Sequence, residues 1–183
     1  DATCLALLTT RGVSVRGLTD VAGVETPLEL SAALGGVTIR SHGRRAPASL
    51  SIADCRLLSA LLGWMPELTR IGVVGIEHMS IYRPSATVAG SGRPSGHAHA
   101  LAIDLSHLVF ADGTTFEVET DWETRDRGAD PCAERPEEGA RMQAVRAAVC
   151  AASRSGLFQV VLTPHADGAH GNHVHLEVRP DVS

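Results

Sequence analysis

Two short stretches carry residue types that can do chemistry together. In SGHAHALAID, residues 95–104, His97 precedes Asp104 in a run of small and apolar residues. In HGNHVHLE, residues 170–177, two further imidazoles alternate with apolar side chains ahead of a glutamate. Zinc accepts imidazole nitrogen and carboxylate oxygen, and hydrolytic zinc sites use three protein ligands while leaving a fourth position for water. One histidine and one aspartate from the first stretch, with one histidine from the second, make such a set. The small residues Ala98, Ala100 and Ala102 let the backbone approach closely.

The elements that must position these groups can be read coarsely. Side chains alternate along a strand, so in 173–178 His173, His175 and Glu177 face one way while Val174, Leu176 and Val178 face the core. Spacing alone leaves open whether one or both imidazoles bind, and an isolated HxH is more often a solvated strand face. Ala102 to Leu105 reads as a short strand ending near Asp104. Residues 71–82, IGVVGIEHMSIY, read as a buried strand, and Leu108–Phe110 and Thr115–Val118 flank Asp112-Gly113 as a hairpin.

Ser51, with Asp54 three positions on, reads as the cap of a helix from Cys55 to Leu62 that Gly63 and Pro66 end. A second helix is expected from about Glu137 to a stop at Gly156. Residues 121–136 read as a polar loop, and 1–50 as short β-like pieces such as Val13–Val15 and Gly36–Arg40. Helices and antiparallel strands interleave without a βαβ rhythm, so the fold class is α+β, in one domain spanning 1–183.

Composition limits the function classes. The chain is 44% hydrophobic and 20% charged, globular values, and no apolar run approaches the ~18 residues of a membrane span. Net charge is −5, and Arg44-Arg45 is the only adjacent basic pair, so no nucleic-acid footprint is expected. No glycine-rich phosphate loop links a strand to a helix, and nothing indicates nucleotide, flavin or haem. Cys4, Cys55, Cys132 and Cys150 are far apart with no CxxC. They suit two disulfides in an exported protein, against four unrelated buried thiols. No signal peptide is visible at Asp1, and a monomer is the favoured state.

Other histidines have plainer readings. His99 reads as supporting the site or facing solvent. His78, in an apolar strand, reads as a satisfied, semi-buried histidine. His42 and His107 have no nameable partners. His165, Asp167 and His170 precede the last strand and are placed to line a cleft.

Ser95-x-His97-x6-Asp104, with Ala102 two before the aspartate, resembles the SxHxxGxAxD motif of the LAS metallopeptidases, the lysostaphin, D-Ala-D-Ala peptidase and hedgehog group. His173-x-His175 resembles their closing HxH. Within that group the chain most resembles the bacterial extensin-like C-terminal domain family. The family pattern appears in order as Cys4, Cys55, Tyr82-Arg83, Ser95 to Asp104, Asp112-Gly113, Cys150, Val161 to Pro164 and His173 to Glu177, covering about residues 4–178.

The resemblance implies a hedgehog/D-Ala-D-Ala-peptidase-like fold, with a central antiparallel sheet flanked by helices. It implies one Zn2+ per chain held by His97, Asp104 and His175. His173 would stay unligated and move protons, and Arg83 would hold a substrate carboxylate or oxyanion. Ser95 would hydrogen-bond within the ligand loop, and His170 would touch substrate or transfer protons. Glu177 would orient an imidazole. Two departures stand out. Ala100 replaces the motif glycine, a mild change unless positive φ is needed there. Tyr82 stands where the family often has a cysteine, which implies the pairs Cys132–Cys150 and Cys4–Cys55, one of three connectivities.

The activity so implied is zinc-dependent hydrolysis of peptide bonds in bacterial cell-wall peptidoglycan, as a carboxypeptidase or endopeptidase, outside the cytoplasm. The alternatives are a non-catalytic zinc-containing cell-wall or protein-binding module of the same fold, and a disulfide-stabilised structural domain without a physiological metal.

Overall fold

AIDLSHLVF, residues 102–110, forms a strand longer than the four-residue piece read from its sequence, because it has partners along both edges. The computed structural model describes residues 2–29, 33–43, 51–123, 125–126 and 129–179, so the Arg44-Arg45 pair lies outside the described residues. In chain order the elements are α1 (Ala2–Thr10), β1 (Arg16–Gly17), β2 (Pro27–Glu29), β3 (Ala33–Leu34), β4 (Val37–Ser41), β5 (Ile52–Asp54) and α2 (Cys55–Arg70). Then follow β6 (Val73–Ser80), β7 (Ala102–Phe110), β8 (Thr115–Glu117), α3 (Val118–Asp121), α4 (Ala140–Arg154), β9 (Val160–Leu162) and β10 (Val174–Glu177).

The fold is α+β. The main sheet runs β3-β4-β6-β7-β10-β9, with β8 also paired to β7, and a small sheet runs β1-β2-β5. Every pair in the main sheet is antiparallel except β4 with β6. The register His175↔Asp104 on β10 and β7 sets two sequence-distant chemical groups side by side.

The core lies between sheet and helices. In α2 the side chains of Leu57, Leu58, Leu61, Trp64, Met65 and Leu68 are all buried. This helix does not stop at Gly63 or Pro66 but runs on to Arg70. An interior proline costs about 3 kcal/mol. Burying Trp64, Met65 and Leu68 returns about 1.5–3 kcal/mol for each. Trp64 also donates from Nε1 to the Ala148 carbonyl of α4 (2.8 Å), fixing the two helices together. Gly63 is a packing position, since a Cβ there would sit 3.0 Å from Leu157 Cδ1.

Two further expectations are corrected. The cap of α2 is Asp54, whose side chain accepts from the Arg56 amide, while Ser51 lies one residue ahead of β5. The amino-terminal residues begin with a helix, α1, and the Val13–Val15 piece is not a strand. Disulfides join Cys4 of α1 to Cys55 of α2 and Cys132 to Cys150 of α4. Closing loops of 51 and 18 residues in the unfolded chain is worth about 4 and about 3 kcal/mol by loop entropy. No helix among the described residues is long and apolar enough to cross a membrane.

The polar stretch before α4 is pinned by a buried charge cluster that its composition hides. Glu138 accepts from Arg125 (Nη2, 3.0 Å) and from Arg146 (Nη2, 2.8 Å), with all three residues buried. Arg125 and Arg146 also donate to the carbonyls of Asp130 and Pro131.

Candidate metal centre

His97, Asp104 and His175 each bring one ligand atom within 4.8 Å of the others, and Asp104 and His175 line an open cleft of about 1040 Å³ while His97 is fully buried. His97 sits on a 3-10 turn, Gly96–His99, whose cap is Ser95: the serine hydroxyl accepts from the His97 amide (3.3 Å). Asp104 comes from β7 and His175 from the adjacent position of β10. Asp104 Oδ1 lies 3.0 Å from His97 Nε2 and 2.9 Å from His175 Nδ1, and those two nitrogens are 3.3 Å apart.

The outer atoms of both rings are committed elsewhere, which fixes what faces inward. His97 Nδ1 lies 2.8 Å from the Ile81 carbonyl, an acceptor only, so that nitrogen carries the proton. His175 Nε2 lies 3.2 Å from Glu177 Oε2 and donates to it. In their neutral forms, His97 Nε2 and His175 Nδ1 therefore both present lone pairs toward the carboxylate oxygen of Asp104. Three acceptors converging at about 3 Å repel one another unless a proton or a cation lies between them. Two imidazoles and a carboxylate, each held by an outer hydrogen bond, are a donor set that fits zinc.

Ionisation follows the same logic. Burial works against the Asp104 charge, but hydrogen bonds from His175, His97 and Ser80 outweigh it and hold the carboxyl well below the usual carboxylate range. Burial likewise disfavours a charged His175. The Asp104 and Glu177 contacts overcome it and push the pKa up to about 9. Without an ion, a proton on His175 is thus the group's way of relieving the repulsion.

The whole-chain comparison now has a site to attach to. The model of the extensin-like protein C-terminus matches residues 2–182. The chain belongs to the extensin-like C-terminal family. Neither the curated proteins nor the solved structures yield a match.

Around the triad, this extensin-like domain brings together most of the residues singled out in its sequence. His173 is half-buried, with Nε2 3.3 Å from Asp104 Oδ1 and Nδ1 donating to Asn172 Oδ1 (2.8 Å). Burial lowers its pKa, the Asp104 charge opposes that, and His170, His175 and His97 add to the fall, so the ring favours its neutral form. Arg83 stands at the rim, its side chain 53% exposed and Nη2 3.8 Å from Asp104 Oδ2, leaving donors free to face the cleft. Its backbone amide donates to the His97 carbonyl (2.9 Å), tying the rim to the ligand turn. His170 lies across from His173 with ring centroids 5.1 Å apart, and its Nδ1 donates to Asp167 (2.7 Å).

Ala100 caps the ligand turn at φ 54°, ψ 28°, the left-handed region. Positive φ is needed there after all, which explains a glycine in the motif at this position. Ala100 bears the strain, of order 1–2 kcal/mol, while its Cβ is fully buried.

Four histidines differ from their sequence reading. His165 does not line the cleft; its two nitrogens contact the carbonyls of Arg125 (2.8 Å) and Ala129 (3.0 Å), beside a smaller hollow at the Cys132–Cys150 disulfide. His78 is fully buried, and its Nδ1 has no partner among the described residues. His42 and His107, without partners in the sequence, stack at 4.4 Å. His99 supports the turn by bonding the Gly23 carbonyl (2.7 Å). Ser80 was missed altogether: its hydroxyl donates to Asp104 Oδ2 (2.7 Å). A serine in an apolar strand carries no signal of its own, and only the β6–β7 register Ser80↔Asp104 reveals it.

Proposed function

We propose that this extensin-like domain is a zinc-dependent hydrolase of the LAS metallopeptidase type, acting on peptide bonds of bacterial cell-wall peptidoglycan. The convergence of His97 Nε2, Asp104 Oδ1 and His175 Nδ1 beside the cleft is the observation that carries this reading. These three residues would hold the ion, which when bound acidifies water toward a pKa of about 7 and polarises the scissile carbonyl.

The chain's own groups supply the rest. His173, neutral and with Nε2 turned toward Asp104, takes a proton from the attacking water and returns it to the leaving amine. The Arg83 guanidinium stabilises negative charge on the carbonyl oxygen or holds a terminal carboxylate. Ser80 and Glu177 hold Asp104 and His175 in place through hydrogen bonds. An open cleft suits a substrate that belongs to a polymer. Two disulfides fit an oxidising compartment, and cell-wall substrate makes that the periplasm or the cell exterior.

Incubation of the protein with purified sacculi, followed by mass spectrometry of released muropeptides, tests the proposal. Cleaved peptide stems in a zinc-dependent reaction, lost in His173→Ala and Asp104→Asn, are expected. Intact stems with retained zinc and tight sacculus binding would instead make the domain a binding module.

A further inference from the structure

A second group of ligand-type side chains lies further along the strands that build the first. β6 gives Ser80, which bonds Asp104, to the first group and Glu77 to this one, and β7 gives Asp104 to the first group and His107 to this one. Glu77 and His107 are register partners, as are His107 and Glu117 on β8, so the three stand in a row across three strands. His42, the residue after β4, joins them because its amide donates to the His78 carbonyl (2.8 Å), which extends the β4–β6 pairing.

The side chains converge. His42 Nδ1 is 2.9 Å and His107 Nδ1 3.9 Å from the same oxygen, Glu77 Oε2, and the two rings stack at 4.4 Å. One ligand atom from each of His42, Glu77 and His107 lies within 4.8 Å of the others. The Nε2 of His107 faces Glu117 Oε1 at 3.8 Å, and Ser106 Oγ sits 2.9 Å from His107 Nδ1. Ser106 Oγ gives its own proton to the Glu77 carbonyl (3.3 Å) and so accepts from His107 Nδ1, and a metal ion would take the place of that ring proton with Nε2 carrying the hydrogen toward Glu117.

A plain ion-pair reading explains this less well. An exposed His–Glu pair alone contributes little. A shared cation lets both rings stay neutral and turn their lone pairs toward one point beside Glu77.

We propose that His42, Glu77 and His107 form a second site for a divalent transition-metal ion, with Glu117 orienting the His107 ring. Two imidazoles and a carboxylate select the zinc, copper and nickel class over magnesium or calcium. The site lies about 10 Å from the first, three residues along β7, and does not open into the same cleft. It takes no part in the proposed hydrolysis, and neither site needs the other.

Tag-free protein stripped by chelator and dialysed against micromolar zinc chloride, then measured by metal analysis per chain, tests this. Wild type should hold about two ions, and His42→Gln/His107→Gln about one, with an unchanged far-ultraviolet circular dichroism spectrum. His97→Ala/His175→Ala should also hold about one, which Glu77→Gln added to that background should release more than ~10-fold more easily. Zinc content equal to wild type in His42→Gln/His107→Gln, or none in His97→Ala/His175→Ala, would overturn the second site. One ion in wild type that disappears with His42 and His107 would uphold the second site and sink the first.

Discussion

The Glu177 carboxylate lies over Gly96 so closely that a Cβ at residue 96 would stand 2.5 Å from Oε2. The same carboxylate holds His175 Nε2 at 3.2 Å. Gly96 is therefore part of the apparatus that decides which nitrogen of His175 faces Asp104, although it has no side chain to contribute.

Gly96→Ala should displace Glu177 and release the His175 ring. Both Gly96→Ala and Glu177→Gln are expected to weaken zinc binding by about 10–100-fold, as read by competition against a chromogenic chelator. The melting temperature of the metal-free protein should change little, because a flexible carboxylate can move aside. Wild-type affinity in Gly96→Ala would show that Glu177 does not fix the ring.

Zinc should stabilise the fold by relieving the repulsion among His97, Asp104 and His175. At a free concentration about 1,000 times Kd the gain is about 4 kcal/mol. Thermal unfolding of chelator-treated protein with and without added zinc measures it, with His42→Gln/His107→Gln as the background so that only the cleft site responds. His97→Ala in that background should abolish the upward shift, and a shift that persists would mean that the ion binds elsewhere.

Buried His78 should make the protein acid-sensitive. Burial drives its pKa down to about 4, against the opposing pull of the Asp104 charge. Between pH 6.5 and about 4 the unfolded chain takes up a proton that the folded chain refuses, so stability falls as pH drops and levels off below about 4. Above pH 6.5 both states are neutral and His78 contributes no slope. The full loss is about 3 kcal/mol. Urea unfolding in chelator across this window should give a shallower acid slope for His78→Leu than for wild type. Equal slopes would contradict the assignment.

Glu138→Gln should cost about 3–5 kcal/mol, because Arg125 and Arg146 would remain buried without their counter-charge. Equilibrium unfolding checks the value, and a cost below 1 kcal/mol, within the range of an exposed pair, would show that the cluster is solvated.

The candidate site was largely legible because its signals are local. His97, Asp104, His173, His175 and Glu177 are chemically distinctive, and strand alternation already sorted His175 and Glu177 onto one face. What escaped notice depends on pairing between distant strands. Ser80 matters through its register with Asp104, and His42 meets His107 because β4 and β6 pair in parallel across an intervening helix. The extent of α2 escaped for another reason. Gly63 and Pro66 are stop signals by intrinsic propensity, and tertiary burial of Trp64, Met65 and Leu68 overrides them. The Arg125–Glu138–Arg146 cluster was hidden because Arg125 reads as polar loop and Glu138 and Arg146 as helix, and composition cannot report that opposite charges have found one another.

One covalent crosslink joins α1 to α2 and the other ties Cys132 to α4, and neither cysteine pair borders the cleft. Reducing agents would thus attack the foundation and leave the workbench untouched in its own chemistry. The cleft-bordering segments 87–95 and 167–170, free of crosslinks, are where natural variation or a protein engineer could reshape the cleft without unfastening the scaffold.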